Sequence, residues 1–493
     1  MNRDPRPHHP LVQRLIDARQ VTDALFSIVK PEFLYERPIR ERHRIVFYIG
    51  HLEAFDRNLF DQRLFELPAF DPQLDQLFAF GIDPVDGGFP TDQPGDWPSL
   101  QTVREYGLRA REQIDRELRA LTDSARVDAS EQLLNVAIEH RLMHAETLAY
   151  MLHQLPLAQK VTELREPVVT GPGRANGASP MVRVPAGSAT LGMRRDGGRF
   201  GWDNEFGELQ VDVPAFEIDR YMVTNGAFRE FIDAGGYREP KWWSEQDWAW
   251  KEAEGIEHPA CWSRRSVNSE RNGEDSGEGN GVRDEWTLRT MFDDVPLPLD
   301  WPAYVSHAEA SAYARWAGKA LPTEAQWQRA AQGAPHAGSG NFDFRSWDPR
   351  PVDAYPENVS AFGVEGQFGN GWEWTSTLFD GLPGFEPFPF YLGYSANFFD
   401  GKHYVLKGGS ARTAQCMLRP TFRNWFQPHY QYVYAGFRCV SASRITHKRT
   451  SLPKKSTGLL MRRFLRARLD QALKPPSIVK LAPVTNAASG LTT

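Results

Sequence analysis

The chain has 493 residues, 41% hydrophobic and 24% charged, with a net charge of −6. At roughly 100–200 residues per domain, that length predicts two to four soluble domains. The charge argues against nucleic acid as the main partner, since phosphate binding concentrates Lys and Arg. No apolar run reaches the ~18–20 residues that span a bilayer.

The first ten residues, MNRDPRPHHP, carry no apolar signal region. The three cysteines, Cys261, Cys416 and Cys439, are odd in number and far apart, which is not a disulfide framework and suits a reducing cytoplasm. In that setting the sequon at Asn358–Ser360 goes unused. Forty Gly and 36 Pro imply a region with much turn and loop.

Residues 1–165 read as helical. Amphipathic stretches run from about Leu11 to Val29 and from Arg40 to Phe65. The stretch from Glu66 to Ser99, rich in Gly, Pro and Asp, reads as loop. Further helices are predicted over 99–121 and 131–155, the latter opened by a capping box of Asp128 and Glu131. Four helices of this length predict a bundle. Residues 166–180, EPVVTGPGRANGASP, read as a linker.

From Met181 to about Ser443 the texture turns to Gly, Trp and short apolar runs, which predicts an α+β domain with much irregular structure. It contains a helix at 307–318 and another entered through Pro322 and Thr323. A polar surface loop is expected over 274–285. The tail, 444–493, is basic and reads as poorly ordered, with KKSTGLLMRRFLRARLDQAL as a candidate basic amphipathic helix.

In IEHRLMHAETLAYML, His140 and His144 stand at i and i+4, so a helix places them on one face. Leu133, Ala137, Leu148 and Met151 continue that face, which points both imidazoles into the bundle. His153 is about half a turn out of phase and should point away. Neutral imidazoles at this spacing can share a metal ion. A third ligand is needed, and His51 lies among Phe47, Phe55 and Leu59 on another inward face, with His43 as its rival. Zinc, copper and iron all suit such a set. Three protein ligands leave positions open for substrate.

GHLEAFDRNL followed by EHRLMHAET resembles the DinB-like iron domain of the ergothioneine sulfoxide synthases (EgtB-like) and of the related ovothiol-pathway enzymes. VRVPAGSATLG, FGWDNEFGE, AYARWAGKALPTEAQWQRAA, FGNGWEWTST, YVLKGGSA, RPTFRNW and AGFRCV resemble the formylglycine-generating-enzyme (sulfatase-modifying factor) domain, of C-type-lectin-like type. The resemblance spans about residues 10–441. It implies Fe(II) held by His51, His140 and His144, and small-molecule substrates: a histidine derivative, a thiol and O2. It also implies that Tyr391, in FYLGYSANFF, gives a proton to an oxygen intermediate. Asn424 and Trp425 would contact the histidine-derived substrate, the indole face through a quaternary ammonium.

Two positions depart from relatives in ways that bear on substrate. Phe426 stands where one branch has an aspartate for γ-glutamylcysteine, and the 81–99 loop shows no obvious equivalent of that branch's arginine pair, so cysteine, or another small thiol or selenol compound, is expected in place of γ-glutamylcysteine. Met143 stands where several relatives place a substrate-contacting Gln. The ovothiol-type enzymes carry an apolar residue there, share the EH-x-x-x-HxET pattern, and are also matched by the loop around Asp83 and Asp96–Pro98. FRNW is the ergothioneine-type form. The readings are therefore a hercynine sulfoxide synthase, an ovothiol-type or selenoneine-type relative, and, from another class, a non-catalytic ligand-binding protein. Copper-type formylglycine chemistry is not expected, because it needs two thiolates close together after the GGS segment and only Cys416 lies there; Cys416 and Cys439 read as small buried hydrophobes.

Overall fold

The computed structural model describes residues 10–82, 89–120, 124–161, 178–268 and 282–441, together with Pro167 and Val169. The predicted tail, Asp83 and most of the predicted linker lie outside these residues.

The N-terminal region comprises helices α1 (Pro10–Phe26), α2 (Ile45–Arg63), α3 (Pro72–Phe80), α4 (Leu100–Ala120) and α5 (Ser124–His153). α1 packs on α5, and α2 packs on α3, α4 and α5. The sequence pattern anticipates four of these helices and misses α3. Its signal was present in DPQLDQLFAF: Asp71 caps the helix by accepting from the Leu74 N–H at 3.0 Å, and Pro72 opens it. α2 starts at Ile45 and not at Arg40, because Arg44 is extended and sends its guanidinium to the Tyr35 carbonyl and to Asp92. α5 starts at Ser124, so Asp128 lies inside it and does not cap it. Nothing in SARVDASE breaks a helix, and the helix runs on upstream of the predicted box.

α5 is the central element. Beyond Gln132 most of its side chains are buried, apolar and polar alike, as in a helix covered on several sides.

The second region is α+β. Its elements are β1 (Met181–Val184), β2 (Gly187–Leu191), β3 (Leu209–Val213), β4 (Phe216–Asp219), α6 (Asn225–Asp233), α7 (Glu245–Ala253), β5 (Trp262–Asn268), β6 (Val282–Arg289), β7 (Asp294–Pro296), α8 (His307–Trp316), β8 (Lys319–Ala320), α9 (Glu324–Ala330), β9 (Gly371–Leu378), β10 (Tyr404–Gly409), β11 (Asn424–Phe426), β12 (Ala435–Gly436) and β13 (Val440–Ser441). One sheet has strand order β1-β4-β13-β8 and another β11-β10-β9-β12; β2-β3 and β5-β6-β7 are separate antiparallel units. Capping boxes at Ser306/Glu309 and Thr323/Gln326 open α8 and α9, the two helices predicted here. Residues 282–285, expected as surface loop, pair in β6 with β5; alternating VRDEWTLR fits a strand with one covered face.

The two regions meet along α5. Glu139 accepts from Arg419 at 2.7 and 2.9 Å and from Trp202 Nε1 at 2.8 Å. Two turns beyond Glu139 on the same face, Glu146 accepts from Trp372 Nε1 and Thr413 Oγ1, both at 2.8 Å, and from Ser410 Oγ. Asn358 of the sequon is buried and donates to the Phe368 carbonyl at 2.7 Å, a structural role. The three cysteines are free thiols; Cys439 is buried as read, whereas Cys416 is only half-buried.

Candidate metal centre

His140 and His144 leave α5 on the face turned to α2, and His51 leaves α2 toward them. Among the described residues, these three histidines are the set whose ligand atoms gather, within 4.8 Å of one another, and all three are buried. Ring centroids lie 4.5 Å apart for His140–His144, 5.0 Å for His51–His144 and 5.6 Å for His51–His140.

The His51 Nδ1–H donates to the Phe78 carbonyl at 2.7 Å, which leaves Nε2 as the free donor atom. That carbonyl belongs to α3, the helix the pattern misses. It comes close because Gly50 faces the Phe78 ring, where a Cβ would sit 2.4 Å from ring carbon. Phe47 stacks on His51 at 4.7 Å and Phe55 on His140 at 3.3 Å, fixing both ring planes.

Five imidazole nitrogens of the triad are buried with no hydrogen-bond partner in the protein. Such groups are costly to bury unless something else satisfies them. Burial also holds all three imidazoles in the neutral form: His51 is lowered to about 4, and His140 and His144 fall well below their ordinary value. Neutral imidazoles with bare nitrogens are what a divalent metal of the zinc, copper or iron type requires. The residues present fit such an ion.

His43 is not in this group. It is buried under Gly81, whose φ of +69° brings the backbone close enough that a Cβ would sit 2.4 Å from the His43 ring. His153 points away, as expected from its phase: Nε2–H donates to the Arg289 carbonyl at 2.9 Å, and Nδ1 pairs with the Tyr434 hydroxyl at 3.1 Å.

Behind the ligands, Arg141 is fully buried and ties the two ligand-bearing helices together. It pairs with Glu53 at 2.9 Å and Asp56 at 2.6 Å, and donates to the Leu52 carbonyl at 3.0 Å. Neighbouring arginines hold the Glu53 carboxyl down at about 2 despite its burial.

In front of the ligands a cavity opens against the second region. His140, Met143, His144 and Glu146 line it from α5; Tyr391, Tyr394, Asn424, Trp425 and Phe426 line it from the other side. The predicted site residues thus border one space, with His51 reaching the triad from behind. Tyr391 is buried with its ring 6.3 Å from that of His140, and burial raises its phenol well above the ordinary value. Asn424 Oδ1 accepts from the Trp425 backbone N–H at 2.9 Å. Trp425 has one indole face covered by Phe379 at 4.1 Å, while its buried Nε1–H has no acceptor in the protein. Phe426 is stacked on Tyr430 at 4.9 Å.

Sequence reasoning gave no role to Glu146, Arg141 or Asp203. Glu146 stands in the quoted HAET segment, two residues after a ligand; Asp203 stands in FGWDNEFGE and accepts from Ser395 Oγ at 2.5 Å, bracing the loop that carries Tyr391 and Tyr394.

A helical bundle whose buried imidazoles fit a metal ion, closed by an irregular α+β domain, defines a two-part protein, and the comparisons match both parts. Residues 14–148 match the DinB superfamily, and residues 169–443, more than half of the chain, match the sulfatase-modifying factor enzyme 1-like domain. Hercynine oxygenase of Mycolicibacterium smegmatis is 36% identical over 324 residues, covering 62% of this chain and 70% of that protein. Hercynine oxygenase of Mycobacterium tuberculosis is 39% identical over 253 residues, covering 48% of this chain and 55% of that one. Ergothioneine biosynthesis protein 1 of Neurospora crassa is 26% identical over 498 residues, covering 84% of this chain and 55% of that protein. The chain belongs to the hercynine oxygenase family, within the sulfatase-modifying factor group, and is by family an oxidative enzyme. No helix among the described residues is long and apolar enough to cross a membrane.

Proposed function

We propose that this chain is an iron(II)- and O2-dependent sulfoxide synthase that joins cysteine to the imidazole of hercynine. The observation that carries the reading is the buried triad, with five partnerless imidazole nitrogens, opening on the cavity of Tyr391, Asn424 and Trp425. That the relatives are named hercynine oxygenase supports the choice of substrate. The balance is one thiol S–H and one imidazole C–H lost, a C–S bond and an S–O bond formed, and one O2 reduced to the sulfoxide oxygen and water.

Iron held by His51, His140 and His144 would supply O2 activation and a docking point for the thiolate. The protein's own groups orient and protonate. Tyr391, kept as the neutral phenol by burial, serves as proton donor beside His140. Asn424 and the Trp425 Nε1–H offer neutral donors to the carboxylate or imidazole of the histidine-derived substrate. With one indole face covered, only the other is left for a trimethylammonium group.

Phe426 supports cysteine over γ-glutamylcysteine, because an apolar ring packed on Tyr430 offers no carboxylate to a glutamyl ammonium. Met143, apolar and beside the ligands, favours a second reading: an ovothiol-type enzyme acting on unmethylated histidine. The free thiols suit a reducing cytoplasm.

The test uses iron-loaded, anaerobic full-length protein. It receives cysteine, γ-glutamylcysteine or a selenium donor, with hercynine or histidine, then O2, and products are read by mass spectrometry. Cysteine with hercynine is expected to give the coupled sulfoxide fastest. Faster coupling of histidine establishes the ovothiol-type reading instead, and consumption of neither imidazole overturns both.

A further inference from the structure

Met143 stands on α5 between two ligands, directly before His144. Its side chain borders the cavity that His140 and His144 line, and unlike those two residues it is not fully buried. The thioether is also held in place. The Tyr394 hydroxyl donates to Met143 Sδ at 3.3 Å, and the Tyr394 ring stacks on Trp202 at 4.0 Å. Trp202 Nε1 in turn donates to Glu139 Oε2 at 2.8 Å. Glu139 and Met143 are one turn apart on α5, so Tyr394 and Trp202 clamp that turn from the second region. One sulfur lone pair is engaged by the phenol; the other remains for reaction.

The proposed reaction finishes by placing an oxygen atom on a thioether sulfur. Met143 is a thioether in the same cavity. We infer that Met143 is a site of self-oxidation, converted to methionine sulfoxide by oxygen from O2 when the thiol is present and the imidazole substrate is not. The inference rests on the sulfoxide-synthase reading. Its balance is one thioether, one O2 and two thiols giving one sulfoxide, one disulfide and one water, so the thiols supply the two further electrons. The polar S=O is a stronger acceptor for the Tyr394 hydroxyl and occupies space beside the ligands, so the modification marks and slows a protein that turns over without its imidazole substrate.

Met417 borders the same cavity from the turn before Arg419 and is an internal comparator; it is more deeply buried than Met143, so the metal-free control separates selectivity from exposure. The test exposes iron-loaded full-length protein to cysteine under oxygen-18 gas, with and without hercynine, followed by peptide mass spectrometry of all nine methionines. Met143 is expected to take up oxygen-18 at least about five-fold more than Met417, and to lose most of that label when hercynine is added, as selective oxidation at a confined site requires. The metal-free His140→Ala protein is expected to show no selective label. Equal labelling of Met143 in that variant overturns the inference. So does an unlabelled Met143 in protein that forms coupled sulfoxide when hercynine is present, and that outcome leaves the functional reading standing. If neither coupled product nor labelled Met143 appears, the functional reading falls and this inference with it.

Discussion

The two regions build their halves of the centre by different means. In the bundle, the candidate ligands sit on regular helices, and one buried arginine, Arg141, locks α2 to α5 through Glu53 and Asp56. In the second region, the cavity wall comes from a non-repetitive segment around Tyr391 and from the three-residue strand β11. There the locks are long-range, such as Arg419 to Glu139 across 280 positions of sequence. Helix geometry makes the ligand pair a local property of sequence, whereas the wall depends on contacts that local sequence does not encode.

The sharpest way to break the bundle half is Arg141→Met. It removes a fully buried cation, strands the buried Asp56 carboxylate and leaves Glu53 to Arg111, so a loss of about 3–5 kcal/mol is expected in chemical denaturation. A loss under about 1 kcal/mol, the range of surface pairs, would mean that the lock does not hold the helices.

The second region has its own vulnerable point in Asp203. Burial raises its carboxyl to about 6, with Ser395 as partner. The folded state therefore binds this proton more tightly than the unfolded chain. The stability it contributes is present below the ordinary carboxyl value and lost as pH rises through about 6. Asp203→Asn carries no such titration. Relative to wild type, the variant should gain about 3 kcal/mol at most between pH ~4 and ~6.5, the energy of a shift of about two pH units. Parallel stability profiles would show that the carboxyl is not raised.

A smaller effect is expected where the helices meet. Gly50→Ala places a methyl against the Phe78 ring and should destabilise by about 1–3 kcal/mol, as overpacking does. It also displaces the carbonyl that orients His51, so metal affinity should fall about 10–100-fold. Unchanged affinity, read by competition with a chelator, would mean that the Phe78 carbonyl does not set the His51 tautomer.

The same contrast explains how much was legible in sequence. The i, i+4 spacing of His140 and His144, with its apolar continuation, placed both on the inward face and correctly set His153 aside. It did not choose between His51 and His43, because both sit on inward positions of one segment. Only the packing of Gly81 over His43 and of α3 beside His51 separates them. Tyr391, Asn424, Trp425, Phe426 and Met143 were proposed through family resemblance, and they border one cavity. Periodicity alone could not have found them, since 388–395 has no repeat and β11 is three residues long. The helix α3 was legible through its Asp-Pro entry but was hidden within a stretch dominated by Gly and Pro. Glu146 was in plain view beside a ligand, yet its three donors come from residues 226 to 267 positions away.

The central claim is that the three histidines of the bundle hold the reactive iron. It is tested most directly by metal content after anaerobic loading with iron(II) and desalting. Wild type should retain about one iron per chain, as one three-histidine site allows, and His140→Ala should retain almost none. Iron retained undiminished by a folded His140→Ala protein would contradict the account.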